Sequence, residues 1–183
     1  GVPYYPASRV LGEIGLLDHL SGGRLEIGTA VGVPQELAKL GLSMDQARDI
    51  YNESIEILDA WLDTGNADYD GKYFKYKDLR LLPRPVQKPC PPKWSTVVSE
   101  DSARRAARRR SKICTGFTST AQVKKVFDAY RDEMNASGGS NGGDLGLRRR
   151  VIIAESETHA SEMTQSAMDR YKSFVANDSR MKF

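Results

Sequence analysis

The chain has 183 residues, 39% of them hydrophobic and 28% charged, with a formal net charge of +3. That is the balance of a soluble globular protein with one sizeable core, and the mild positive charge falls short of what a dedicated nucleic-acid binder carries. Cys90 and Cys114 stand 24 residues apart without a second pair or a CxxC, which excludes a disulfide framework and a zinc site. No apolar run approaches the roughly 18 residues needed to span a bilayer, and Gly1-Val2-Pro3-Tyr4-Tyr5-Pro6 lacks the basic start and apolar middle of a signal peptide, so a cytoplasmic protein is expected.

Two prolines hold residues 1–6 as an extended lead-in, which reads as the tail of something already under way. Residues 8–20 form an amphipathic helix, with Val10, Leu11, Ile14, Leu17 and Leu20 at helical spacing and Arg9, Glu13 and Asp18 off that stripe. Gly22-Gly23 ends it, residues 24–29 alternate as a strand, and Gly28 and Gly32 open a flexible exit. Residues 34–40 make a short helical turn. A long helix follows over 43–63, with Ser43 as N-cap, Ile50, Ile57, Leu58 and Trp61 on its apolar side and Gly65 as its stop.

The aromatics around Asp70-Gly71 (Tyr69, Tyr73, Phe74, Tyr76) suggest a hairpin excursion resting on a barrel rim. Residues 79–92 hold five of the eight prolines, so they form a rigid extended connector. Strands over 93–98, 112–117 and 149–155 then alternate with helices over 100–110, 119–135 and 158–174, and a glycine-rich loop spans 137–146. The run Val151-Ile152-Ile153-Ala154 has the continuous apolar character of a parallel strand. Four strands, each followed by a helical crossover, predict a parallel sheet, either doubly wound or part of a (β/α)8 barrel.

Three blocks carry a more specific signal: residues 9–28 with Leu17-Asp18-His19-Leu20-Ser21-Gly22-Gly23-Arg24-Leu25-Glu26-Ile27-Gly28, the excursion 69–74, and the connector 82–94. With residues 99–107, they resemble the bacterial luciferase-like monooxygenase family. The resemblance implies a TIM barrel, of which this sequence supplies about four of eight βα units: residues 1–183 as one partial barrel domain, with 65–92 as an excursion and connector inside it. On that alignment the first three strands and the eighth lie outside the sequence, which is expected to be a fragment and inactive alone.

Chemistry in such a barrel sits at the C-terminal ends of the strands. By resemblance, Gly28, Thr29, Ala30 and Gly32 lie beside a flavin ring, Ser99 and Ser102 form its phosphate loop, and Gly116 and Phe117 complete the cofactor site. The physics of a helix start agrees, because unpaired N–H groups and the positive dipole end favour an anion. Against it, Ser99 reads equally as a plain N-cap, and Glu100 and Asp101 place negative charge there. Many family members carry an Arg where this chain has Val31, so one charge-assisted contact is missing.

The resemblance further implies FMN, supplied reduced by a flavin reductase, O2 and a small organic substrate such as an aldehyde, in a homodimer. The deazaflavin F420 with hydride transfer is the alternative, and a non-catalytic flavin binder a second one. Arg104, Arg105, Arg108, Arg109 and Arg110 read as a solvated face over the packing residues Ala103, Ala106 and Ala107, rather than as a nucleic-acid surface. His19 and His159 are too few and too far apart for a metal or a triad. His19 is expected to cap or pack at its helix end and His159 to be exposed; Cys114, Trp61 and Trp94 are read as core, and Cys90 as exposed.

Overall fold

The computed structural model describes residues 1–116, 118–138 and 145–176. After a 3-10 turn at Val2–Tyr4 come α1 (Ala7–Leu20), β1 (Ile27–Thr29), α2 (Pro34–Lys39), α3 (Met44–Thr64), β2 (Ala67–Asp70) and β3 (Lys75–Leu79). These are followed by β4 (Lys93–Thr96), α4 (Glu100–Arg108), β5 (Lys112–Thr115), α5 (Thr120–Ala136), β6 (Leu145–Leu147) and α6 (Glu157–Ala176). The strands β1, β4, β5 and β6 pair in that order, all parallel, while β2 and β3 form a separate antiparallel hairpin. Parallel neighbours in chain order, joined by helices over one face, make half the wall of a (β/α)8 barrel.

Local chemistry explains the boundaries. Ser43 Oγ accepts from the Gln46 amide and Gln46 Oε1 accepts from the Ser43 amide, a reciprocal cap that starts α3. Gly65 ends it in the left-handed region, at φ +83°. The apolar faces of α1 and α3 close on each other and on β1 through Leu11, Ile14, Ile27, Ile55, Leu58 and the fully buried Trp61. A second cluster joins α4 and α5 to β5, where Ala103, Ala106 and Ala107 allow close approach to Val126 and Tyr130. On α4, Arg105 meets Asp101 and Arg108 meets Glu133, and Arg109, half-buried just after the helix, meets Asp59.

Three sequence expectations are corrected. The last parallel strand is Leu145–Leu147, overlapping the end of the stretch 137–146 read as a loop, and residues 151–154 form no strand. An apolar run becomes a buried strand only where layers cover it, and Val151 and Ile153 are 75% and 88% exposed. The hairpin rests on α3 rather than on a barrel rim: Glu53 accepts the amides of Lys72, Tyr73 and Phe74, and Tyr69 donates to Glu56. Cys90 is half-buried against the first cluster, because its connector packs down instead of looping out.

That connector is seated by polar groups. Arg84 donates to the Trp61 and Leu62 carbonyls at the end of α3, and His19 Nε2 donates to the Arg84 carbonyl at 2.9 Å. Asp18, fully buried, accepts from the Gln87 amide at 3.0 Å and from Gln87 Nε2 at 2.7 Å. Burial alone would raise the Asp18 carboxyl, but hydrogen bonds from Gln87, Val86 and Leu25 outweigh it and hold the group below the usual carboxylate range.

Gly15 sits where a Cβ would lie 1.8 Å from the Pro83 carbonyl oxygen. Gly15→Ala should therefore lower stability by about 1–3 kcal/mol through overpacking, despite the roughly 1 kcal/mol that alanine gains over glycine in a free helix. Urea titration checks this, and a stabilised variant would contradict the packing. Asp18→Ala should cost about 2 kcal/mol or more by leaving buried donors without an acceptor. Because the folded carboxyl titrates below its unfolded value of about 3.9, its contribution is complete above that pH and is lost as the pH falls through the folded value. The stability difference between the wild type and the variant should thus narrow as the pH falls below about 3.9, as thermal melts across pH would record.

Candidate functional site

Register fixes which side chains share the inner face. Gly28 lies opposite Trp94 and Trp94 opposite Lys112; Thr96 lies opposite Cys114 and Cys114 opposite Gly146. Alternate residues point to one side of a sheet, so these form two rows facing away from the helices, whereas Ile27, Ile113 and Leu145 face the two cores. The inner face encloses an open concavity of about 640 Å3, whose lining includes Gly28, Trp94, Thr96, Cys114, Gly146 and Arg148.

Trp94 forms its floor and is half-buried, not core as expected from its hydrophobicity, because it points to the side with no helix layer. Its indole Nε1 donates to Glu26, while Lys112 Nζ lies 5.2 Å over the ring and 3.5 Å from Glu26 Oε1. The indole hydrogen bond, opposed by burial and helped by Lys112, lowers the Glu26 carboxyl. Gly146 is small for a reason: a Cβ there would meet Cys114 Sγ at 3.2 Å and Trp94 Cζ3 at 3.3 Å. Gly28 has no atom within 4 Å of a Cβ position, so its backbone is open to a flat ligand ring.

The sequence-derived candidates fall in different places. Gly28 and Thr29 line the concavity, although the Thr29 hydroxyl is also hydrogen-bonded to the Trp94 carbonyl. Ala30 and Gly32 lie just beyond β1 under the N-terminal turn: the Val2 amide donates to the Ala30 carbonyl, and the Tyr4 ring fills the space beside Gly32. Tyr4 in turn donates to Glu36 at 2.6 Å and accepts from the Val33 amide. Ser99 and Ser102 cap α4 reciprocally, each hydroxyl accepting the other's amide. Gly116 is buried against Arg148, whose carbonyl oxygen and Cβ lie 2.9 and 3.0 Å from a Cβ position. Phe117 lies outside the described residues. Residues 154–156 reach no strand end; Ser156 instead accepts the His159 amide at the start of α6.

Trp94, Thr96, Cys114, Gly146, Arg148 and Arg149 all line the concavity and were not among those candidates. The missing signal was alternation: once Gly28 is placed inward, the strand register assigns the rest. Among the described residues, no group of three His, Cys, Asp or Glu could hold a metal ion, and no helix is long and apolar enough to cross a membrane. Glu26→Gln should loosen the indole at little cost in stability, because exposed ion pairs contribute little. The expected sign is a rise in acrylamide quenching of tryptophan emission, absent when Trp94→Phe is added.

The sequence model of the luciferase-like monooxygenase family matches residues 2–182. The y4wF protein of Sinorhizobium fredii is 36% identical over 89% of this chain and 48% of its own length, so the chain spans about half the length of the curated relatives it matches. Among solved structures, the oxygenating constituent of 3,6-diketocamphane monooxygenase from Pseudomonas putida, in complex with FMN, is similar at a TM-score of 0.75 and 19% identity, over 98% of this chain and 56% of that one. The coenzyme F420-dependent tetrahydromethanopterin reductase from Methanopyrus kandleri is similar at 0.73 and 19% identity, over 87% of this chain and 50% of that one. These structures share the barrel fold, of which this chain covers about half.

Proposed function

The chain belongs to the luciferase-like monooxygenase family, and from that premise we propose that the protein containing it is a flavin-dependent monooxygenase that oxidises a small organic substrate with O2 and reduced FMN. The observation that carries this reading is the inner-face concavity, which opens over the glycine backbone of β1 and is bounded by strands whose C-terminal ends lead to a capped helix start. Bound FMN would supply the redox chemistry. The chain's own residues would bind, orient and exclude water. Gly28 and Thr29 would offer backbone to a flat ring, Trp94 would lie beside it, and the positive end of α4, where the Ser99 and Ser102 hydroxyls cap the helix, would attract the phosphate.

Reduced flavin from a reductase, a cytoplasmic setting and assembly as a homodimer belong to the same proposal. The chain's similarity to an F420-dependent reductase makes hydride transfer with the deazaflavin the second reading. One experiment separates them: equilibrium titration of the purified protein with FMN, riboflavin and F420, followed by oxygen-electrode traces with the reduced cofactor. FMN binding with substrate-dependent oxygen uptake is the expected result; F420 binding without oxygen uptake would replace it with the second reading. Ser102→Ala should weaken FMN by about tenfold, roughly the 1.4 kcal/mol of one charge-assisted contact, and leave riboflavin unchanged. Equal losses for both ligands would remove the phosphate from this helix start.

A further inference from the structure

The two buried clusters share no residue, and the seam between them is polar. Thr29 lies opposite Ser95 and Ser95 opposite Ile113, so by alternation with Gly28 and Trp94 both hydroxyls are on the helix side of the sheet, where Tyr51 of α3 reaches Thr29 at 3.1 Å. With Asp59 of α3, Lys93 at the start of β4, Arg109 after α4 and Ser111 before β5, they border a hollow of about 10 Å3. That is roughly the room one water molecule needs.

The groups around it have hydrogen-bonding capacity to spare. Ser111 Oγ donates to the Lys112 carbonyl at 3.2 Å, so Ser95 is the donor in the 2.9 Å contact between the Ser95 and Ser111 hydroxyls, and the Ser95 oxygen keeps lone pairs to accept with. Lys93 Nζ donates to Asp59 Oδ1 at 2.7 Å, whereas Arg109 Nε stands 3.9 Å from Asp59 Oδ2, too far for a direct hydrogen bond. A polar contact of that length is one a water can bridge. The charges also select the species. An anion would face the Asp59 carboxylate and a cation would face Lys93 and Arg109, whereas water accepts from the cations and donates to the carboxylate and to Ser95.

We propose that this hollow binds one structural water, held by Asp59 Oδ2, the Ser95 hydroxyl and Arg109, which joins α3 to β4 and to the turn between α4 and β5. The water couples the two clusters across their polar seam. It also backs the wall of the concavity, because Thr29 and Ser95 border both spaces, and its binding requires no flavin.

High-resolution crystallography of the full chain, with no cofactor added, is the test. One ordered peak is expected within about 3.2 Å of Asp59 Oδ2, of Ser95 Oγ and of an Arg109 nitrogen. A hollow without a peak, or one closed by Arg109 moving onto Asp59, overturns the proposal. Crystals soaked in bromide should show no anomalous signal at the position, and a bromide peak there would replace the water with a halide. Ser95→Val removes an acceptor and fills the hollow. Its crystals should lose the peak while Asp59, Lys93 and Arg109 keep their places, and its melting temperature should fall by about 2–4 °C or more. A peak that persists unchanged in Ser95→Val, or a melting temperature that rises, overturns the proposal, because the hollow is then a packing defect and not a site. Should Ser95→Val fail to fold, the density of the wild type still decides. Failure of the wild type to bind FMN or F420 overturns the flavin reading alone.

Discussion

The buried Asp18 carboxylate and its two bonds to Gln87 hold the architecture together. Between the α1–β1 unit and the strand that must pair with it lie the long helix α3, a hairpin and a proline-rich segment, and nothing in that path specifies by itself where β4 will land. Asp18 does so, together with Arg84, which reaches the last carbonyls of α3, and Pro92, whose carbonyl accepts the Ile27 amide at 2.8 Å. With residues 84–92 so seated, Lys93 falls beside Ile27 and the β1–β4 register is set. A shift of one residue would turn Trp94 toward the helices and Lys93 toward the concavity. The inner face is thus a consequence of a polar clamp on its far side.

That clamp also explains why a fully buried carboxylate is tolerated. Its donors include main-chain groups that would otherwise be orphaned where a stiff connector crosses the end of a helix, so burial of the charge and satisfaction of the connector are one event. Glycine at position 15 serves the same approach, because the Pro83 carbonyl occupies the volume of a side chain.

Most of the helices and the parallel order were legible in the sequence, since helical periodicity with Ser43 and Ser99 as caps is a strong local signal. The misplaced strand shows the limit of that signal. Val151-Ile152-Ile153 looks like a buried strand by composition, but pairing with β5 went to Leu145–Leu147, a three-residue strand with a glycine at its centre that no periodicity could single out. The candidate site was legible only at its strand ends. Gly28 and Thr29 line the hollow, whereas Trp94, Cys114, Gly146 and Arg148 required the register between strands distant in sequence. Hydrophobicity assigned Trp94 to the core, because it reports that a side chain will be covered and not which side covers it.

The inner face departs from what barrel stability alone would favour. A barrel interior that serves only packing is filled by bulky branched residues in layers. Here the rows contain Gly28, Thr96, Cys114 and Gly146, with a single large ring between them, and that ring is held at its edge by Glu26 and crossed by Lys112. Small and polar residues in these positions give up burial that valine or isoleucine would provide, about 1.5–3 kcal/mol for each fully buried side chain. Sequences that break a local rule in this way tend to do so where a ligand occupies the space instead. The same reasoning applies to Gly116, which gives up a side chain so that the Arg148 main chain can stand against the sheet, beside the concavity that Gly28 and Gly146 also line.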